Sequence, residues 1–506
     1  MAKIPMTKLP MVLCFALLTG ACASITDAPR LTATQVKEHL ALAHTAAPVE
    51  KNTQAAKQIV QALKQASARS QLHLSSEFEQ TLTALIAQTL VNNPSLAQAQ
   101  LRIEQAQQEL GITQAASRPS VVGTSSVNRS RPAALSGAQA PITQTGSLGF
   151  MPQWELDLWG ARQLQAQADA QSVQSAKLAF QASQVSLAFA VSQLALQWSS
   201  LQAELQATAL SLQYKQDVLQ AIEARVRAGL SPVNSLSQAQ QALEQVLSAQ
   251  SALQLAQSKT LNAMVALGVG TESALVTLLQ KTEPLSQDLV APSNTITGSL
   301  ATTPGEFSFD ALAQRPDIHS AIARYEAAAS LERAAHRAQW PSIDLTGNVA
   351  WSILLANPGN VALAFGAALQ SSGLLIDPAR EQKLALPRIA ADNAQQDVRQ
   401  AVLTAQQELT DTLAAVGTEQ FRFESAIRNE SLAKDIVARE ALRFQAGLTP
   451  PAQWFAAQDQ AVLASRQRMV AELALLSAQW NLSKAAWADL PTNLTPSLNP
   501  NLTNEK

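Results

Sequence analysis

Arg225-Val226-Arg227-Ala228-Gly229-Leu230-Ser231-Pro232 returns in the second half of the chain as Arg443-Phe444-Gln445-Ala446-Gly447-Leu448-Thr449-Pro450. Both read as helix stops, with Gly at the C-terminus and Pro just beyond. Further out, Asn93-Pro94-Ser95-Leu96 runs on to Pro119-Ser120-Val121, and Arg315-Pro316-Asp317-Ile318 to Pro341-Ser342-Ile343, with identical spacing from proline to proline. The distance from the first proline (Pro94 or Pro316) to the Ala of the turn (Ala228 or Ala446) is nearly the same in the two copies. A duplicated unit of this length implies pseudo-symmetry rather than a short-period solenoid.

The helix entering the first turn contains no Pro or Gly from Ala161 to Val226, 66 residues, or about 99 Å at 1.5 Å per residue. Phe180, Leu187, Val191, Leu194 and Trp198 step by 7, 4, 3 and 4, the spacing of a coiled-coil seam. Val185, Phe189 and Leu196 trace a second seam on a neighbouring face. Two seams predict partners on both sides, as in a wall of helices. The second copy offers a counterpart over 380–445, with Gly417 expected to interrupt it.

Between the two prolines of each copy and its long helix the texture changes. Gln153-Trp154-Glu155-Leu156-Asp157-Leu158 alternates polar and apolar residues, and so does Ile343-Asp344-Leu345-Thr346-Gly347-Asn348-Val349. Strict alternation is the strand signal. With turn residues Asn357-Pro358-Gly359-Asn360 in the second copy, each copy is predicted to insert one β-hairpin, over 119–158 and 341–377.

Four strands cannot close on themselves in lipid, where an open edge leaves backbone groups unpaired at several kcal/mol each. The smallest membrane barrels use about 8 strands. In a membrane, then, these hairpins make sense only as a barrel shared between copies. Trp154, Trp159, Trp340 and Trp351, four of the eight tryptophans, fall in or beside the hairpins, as an interfacial girdle requires. The alternative is two soluble hairpins that bury tryptophan.

The organisation expected is a signal peptide over 1–21, an N-terminal segment over 22–80, repeat 1 over 81–268, a linker over 269–305, repeat 2 over 306–488 and a tail over 489–506. Return helices are placed at 233–267 and 452–487. The fold class is mainly α with a small β part.

Composition excludes several functions. The formal charge is −2, so nucleic acid has no basic footprint to meet. Both cysteines, Cys14 and Cys22, lie in the first 22 residues, which leaves the remaining chain no thiol for catalysis, disulfides or metal. The five histidines form no ligand set; His319 and His336 sit several helical turns apart on one expected helix. Neither an enzyme nor a cofactor is expected. Lys3, Lys8 and the apolar run Met11 to Leu18 form an export signal too short to span a bilayer. Leu18-Thr19-Gly20-Ala21-Cys22 is similar to a lipoprotein box, which would make Cys22 an acylated (palmitate-bearing) first residue; plain cleavage after Ala23 is the other route.

Trp154-Glu155-Leu156-Asp157-Leu158-Trp159-Gly160, Arg315-Pro316-Asp317-Ile318, Pro341-Ser342-Ile343-Asp344-Leu345-Thr346-Gly347 and the paired Ala-Gly-Leu turns together resemble the TolC family of bacterial outer-membrane factors, in its lipoprotein (NodT or OprM-like) branch. The resemblance covers about residues 80–490. It implies a homotrimer with a 12-stranded barrel in the outer membrane and a periplasmic helical barrel. It also implies a passive exit duct joined through a periplasmic adaptor to an inner-membrane pump, most simply of the RND type. The family's adaptor-docking tip maps onto Arg225, Gly229, Leu230 and Ser231, and onto Arg443, Gly447, Leu448 and Thr449. Family members commonly place an acid nine residues after the second glycine; here that position is Ala456, and Gln453, three residues earlier, is also uncharged. Asp459, on the same helix, is therefore expected to supply the ring of charge, with Trp454 or Phe455 narrowing the pore; an acid on a solvated helix face is the competing assignment. A type I protein secretion outlet and a pore-less periplasmic coiled-coil scaffold are the alternative functions.

Overall fold

The structure, a computed structural model, describes residues 50–68, 74–131, 142–279, 312–354, 361–373 and 377–487. The leader and Cys22, the turn at 357–360, most of the 269–305 linker and the tail after 487 lie outside these residues. The described residues form one compact unit.

Two helices, α1 (Glu50–Ala68) and α2 (Ser76–Asn92), come before the Asn93-Pro94 landmark. The segment before Ser75 has no periodicity that would place α1. Both helices are held by burial: Ile59, Leu63, Leu82, Leu85 and Ile86 are fully enclosed, and the Trp480 indole N–H donates to Ser67 Oγ at 3.0 Å. The first repeat continues with α3 (Pro94–Ala116), β1 (Ser120–Ser130), β2 (Thr143–Leu156), α4 (Ala161–Arg227) and α5 (Val233–Ala266). A short helix α6 (Glu272–Leu279) follows where a linker is expected, anchored by buried Leu275 and Leu279. The second repeat is α7 (Pro316–Arg337), β3 (Ser342–Leu354), β4 (Val361–Ser372), α8 (Arg380–Gln445) and α9 (Pro451–Ala485). Gly417 does not interrupt α8, which runs unbroken for 66 residues. A glycine inside a helix costs only about 1 kcal/mol, too little to break a helix packed along its length.

The residue before each proline fastens its repeat. Asn93 Oδ1 accepts from the backbone N–H groups of Ser95 (2.9 Å) and Leu96 (3.2 Å), capping α3, while its Nδ2 donates to the Leu267 carbonyl beyond α5 (3.0 Å). Arg315 does the same for the second copy, donating to the Ala485 carbonyl at the end of α9 (3.0 Å) and to Asp317 (2.7 Å) and Glu408 (2.8 Å). Two different side chains thus tie the start of a repeat to its return helix.

The helices lie side by side. Near the strands the order is α3, α4, α7, α8; near the turns it is α5, α4, α9, α8. Ser175 and Ser320 exchange hydroxyl-to-carbonyl hydrogen bonds (3.0 and 3.1 Å) where α4 meets α7, a close approach that small residues permit. Both seams of α4 are covered: Phe180, Val191 and Trp198 are buried on one, Val185, Phe189 and Leu196 on the other. The flanking helices differ. α8 buries five of its 66 residues and α5 four of its 34, so each packs on one side only and leaves its outer side uncovered. Leu386, Leu403, Phe421, Leu432 and Leu442 stand exposed on α8.

The strands make one antiparallel sheet in the order β1-β2-β3-β4, so the two hairpins join through β2 and β3. No helix among the described residues is long and apolar enough to cross a membrane; that search does not address strands.

Candidate functional site

Cross-strand partners share a face of a sheet, so the register sorts the side chains. One face carries Leu363↔Trp351↔Leu148, Phe365↔Val349↔Phe150 and Leu369↔Leu345↔Trp154 across β4, β3 and β2. Val121 and Val127 extend it into β1. The opposite face carries Ser342, Asp344, Thr346, Asn348 and Ser352 on β3, and Thr124, Ser126, Ser147 and Gln153 on β1 and β2, with small alanines on β4. Among the described residues nothing covers the apolar face; Phe365 is 82% exposed. Soluble antiparallel sheets bury their apolar face, and this one displays it. Strands of 11 to 14 residues are long enough to span a bilayer at a tilt. The two outer strands, β1 and β4, lie on the same flanks as α3/α5 and α8.

Pro152 interrupts the β2–β3 ladder, because it has no N–H to give. It packs on Gly347, where a Cβ would stand 2.7 Å from Pro152 Cγ. Trp154 donates to the Ser117 carbonyl (3.0 Å) and Trp159 to the Pro341 carbonyl (2.9 Å). Trp159 stacks on Trp340 at 5.3 Å, and Trp351 meets Phe150 edge-on at 6.2 Å. All four tryptophans remain exposed, so the soluble reading with buried tryptophan fails.

At the far end of the helices the two turns are built alike. Gly229 and Gly447 take φ of +70° and +71°, the left-handed region that favours glycine. Gly229 N–H donates to Val226 O (3.0 Å) and Leu230 N–H to Arg225 O (2.8 Å); Gly447 to Phe444 O (2.9 Å) and Leu448 to Arg443 O (2.8 Å) repeat them. These are Schellman pairs, which usually tuck the residue after Gly against the last helical turn. Here those residues stay out: Leu230 is 67% and Leu448 71% exposed. Turn geometry explains the glycines and leaves the leucines unexplained. Arg225 donates to Ser231 Oγ (3.1 Å) and the Leu230 carbonyl (3.3 Å), bracing the first turn. In the second, Arg443 pairs with Glu440 (3.2 Å) and Thr449 is buried.

The expected charge ring requires correction. Asp459 is 1% exposed, wedged between α9 and α4, where it accepts a short hydrogen bond from Ser211 and pairs with Lys215 Nζ at 2.8 Å. An acid matched in this way within its own chain does not project into a pore. Its place on the helix, three residues past Ala456, is legible in the sequence; the lysine on the neighbouring helix is not. Trp454 likewise is occupied: it stacks on Phe444 at 5.0 Å with the rings nearly parallel, and Phe455 leans on it at 5.1 Å. Gln453 and Ala456 are the exposed positions of this turn of helix.

Sequence reasoning also missed a charged cluster higher on the same helix pair. Arg468 of α9 bonds Glu430 of α8 (2.8 Å) and Glu472 (2.7 Å), and Lys434 bonds Glu430 (2.9 Å). Burial pushes the Glu472 carboxyl up despite Arg468. Burial also raises Glu430, but the Lys434 hydrogen bond and the Arg468 charge outweigh it and hold it below the usual carboxylate range. The same balance, with Arg315 as the cation, holds Asp317 low.

Residues 85–268 and 308–486 match the family model described as outer membrane efflux protein, one stretch in each repeat. The chain belongs to the outer membrane efflux protein family. It is 28% identical over 358 residues to outer membrane protein OprJ of Pseudomonas aeruginosa, spanning 69% of this chain and 71% of that one. Toluene efflux pump outer membrane protein TtgC of Pseudomonas putida is 27% identical over 278 residues, 53% of each chain. Among solved structures the outer-membrane channel OprN superposes with a TM-score of 0.70 at 21% identity, covering 82% of this chain and 92% of its own. VceC of Vibrio cholerae gives 0.67 at 20%, covering 82% and 98%. The family is one of the outer membrane.

Proposed function

We propose that three copies of this chain form the outer-membrane duct of a tripartite efflux system. Small molecules such as drugs, solvents or metal ions leave through it, delivered by an inner-membrane pump of the RND type through a periplasmic adaptor. The observation that carries this reading is the sheet with one uncovered apolar face, one polar face and two unpaired edges. Such a sheet satisfies its backbone in lipid only when β1 of one copy pairs with β4 of the next. That head-to-tail contact is heterologous and closes into a ring. Three copies bring twelve strands, within the range of single-pore outer-membrane barrels. The unpartnered flanks of α5 and α8 then face each other between copies. Leu230 and Leu448 are the apolar knobs offered to the adaptor, and Cys22 is the acylated anchor.

The test is reconstitution of the detergent-extracted protein with measurement of its native mass and single-channel conductance. A trimer that conducts supports the duct; a soluble monomer without conductance overturns it in favour of a periplasmic scaffold. Deleting the gene should sensitise cells to small toxic compounds. Loss of a secreted protein with unchanged sensitivity would point to type I secretion instead.

A further inference from the structure

Where the apolar face of the sheet ends, the stacked Trp159 and Trp340 remain 40% and 61% exposed. Two arginines stand beside them. Arg337 Nη1 donates to the Trp159 carbonyl at 2.8 Å, crossing Gly160 so closely that a Cβ there would lie 2.9 Å from it. Arg380 donates through Nε and Nη2 to Gln339 Oε1 at 2.9 and 2.6 Å. Both guanidinium partners are neutral oxygens, and both arginines are exposed. Among the described residues neither makes an ion pair; Asp377, which feels the charge of Arg380, is itself bonded by Lys383 at 2.9 Å.

Two exposed guanidinium groups that make no ion pair among the described residues therefore flank an exposed indole pair at the rim of a lipid-facing surface. We propose that Arg337 and Arg380 bind the phosphate of an anionic phospholipid headgroup in the leaflet nearest the helices, with Trp159 and Trp340 set against its glycerol and upper acyl region. The inference rests on the outer-membrane reading of the sheet. Indoles settle at the headgroup level, which fixes the depth of the arginines beside them. Phosphate is the anion concentrated at that depth, and a guanidinium offers it paired donors in one plane. Each arginine has five N–H groups and spends only one or two within the protein, so donors remain. A zwitterionic headgroup brings its own ammonium and gives up part of the attraction.

The experiment is native mass spectrometry of the detergent-extracted oligomer titrated with phosphatidylglycerol, with phosphatidylcholine and with inorganic phosphate. Comparators are the double variants Arg337→Gln/Arg380→Gln and Arg337→Lys/Arg380→Lys. The parent should retain phosphatidylglycerol over phosphatidylcholine, and raised salt should weaken retention. The Gln pair should lose retention by at least about fivefold, while the Lys pair keeps most of it. Equal retention by the Gln pair and the parent overturns the proposal, as does equal retention of the two lipids. Inorganic phosphate that binds lipid-free protein and displaces phosphatidylglycerol would make this a free-anion site and also overturn it. If the Gln pair does not assemble, the parent's lipid preference and salt dependence decide. Failure of the membrane reading is seen separately, as parent protein that does not float with phosphatidylglycerol vesicles.

Discussion

Asp459 shows how far one residue's role depends on its neighbours. Replacing Lys215 by Met leaves its carboxylate buried without a cation. Breaking a buried pair costs about 3–5 kcal/mol; Lys215 is one-quarter exposed, so about 2–3 kcal/mol is expected, read from denaturant unfolding of the solubilised protein. Lys215→Met with Asp459→Leu should recover most of that loss. Asp459→Asn should leave the pH dependence of conductance unchanged, since the group does not line the pore. At the turns, Gly229→Ala forces a left-handed backbone on a residue with a Cβ and should cost about 1–2 kcal/mol. Leu230→Ser should leave stability unchanged and weaken adaptor binding, because the leucine touches little within its own chain. The turns were legible in sequence because Gly-Leu-Ser/Thr-Pro is local chemistry. Lys215 and Asp459 come from opposite repeats, and periodicity carries no record of such a pairing.

Among the elements, the α8–α9 pair contains opposed titrations. A carboxyl whose value is raised on folding, as at Glu472, costs stability above that raised value and costs none below the ordinary value near 4.5. Glu472→Gln should therefore be more stable than the parent at pH 8, and the difference should shrink as pH falls toward 4.5. Thermal unfolding at the two pH values checks this; Arg468 keeps Glu430 as its partner in the variant. Asp317 runs the other way: the stability it supplies is full above the ordinary carboxylate value near 3.8 and is lost as pH falls through its depressed folded value. The helix spans and strand windows could be read from heptads, alternation and punctuation. α1, α6 and the continuity of α8 through Gly417 could not, because tertiary burial decides them and local pattern does not.

For the whole molecule, the sheet's two faces make a paired prediction. Phe365→Arg puts a charge on the lipid face, at a cost of about 2–4 kcal/mol near the bilayer midplane, and should deplete the protein from the outer-membrane fraction. Ala364→Arg, one residue away on the polar face, should assemble normally and shift ion selectivity toward anions. Equal behaviour of the two variants would mean that the faces have been assigned wrongly.

In the proposed trimer, the contact that joins β1 and α5 of one copy to β4 and α8 of the next is not self-complementary. Every subunit must therefore be sound on both flanks for a ring to close. If a cell makes equal amounts of normal chain and chain damaged on one flank, and the two mix at random, only about one ring in eight is built wholly from normal chains. A damaged allele of this gene should thus be genetically dominant, and a merely absent one recessive.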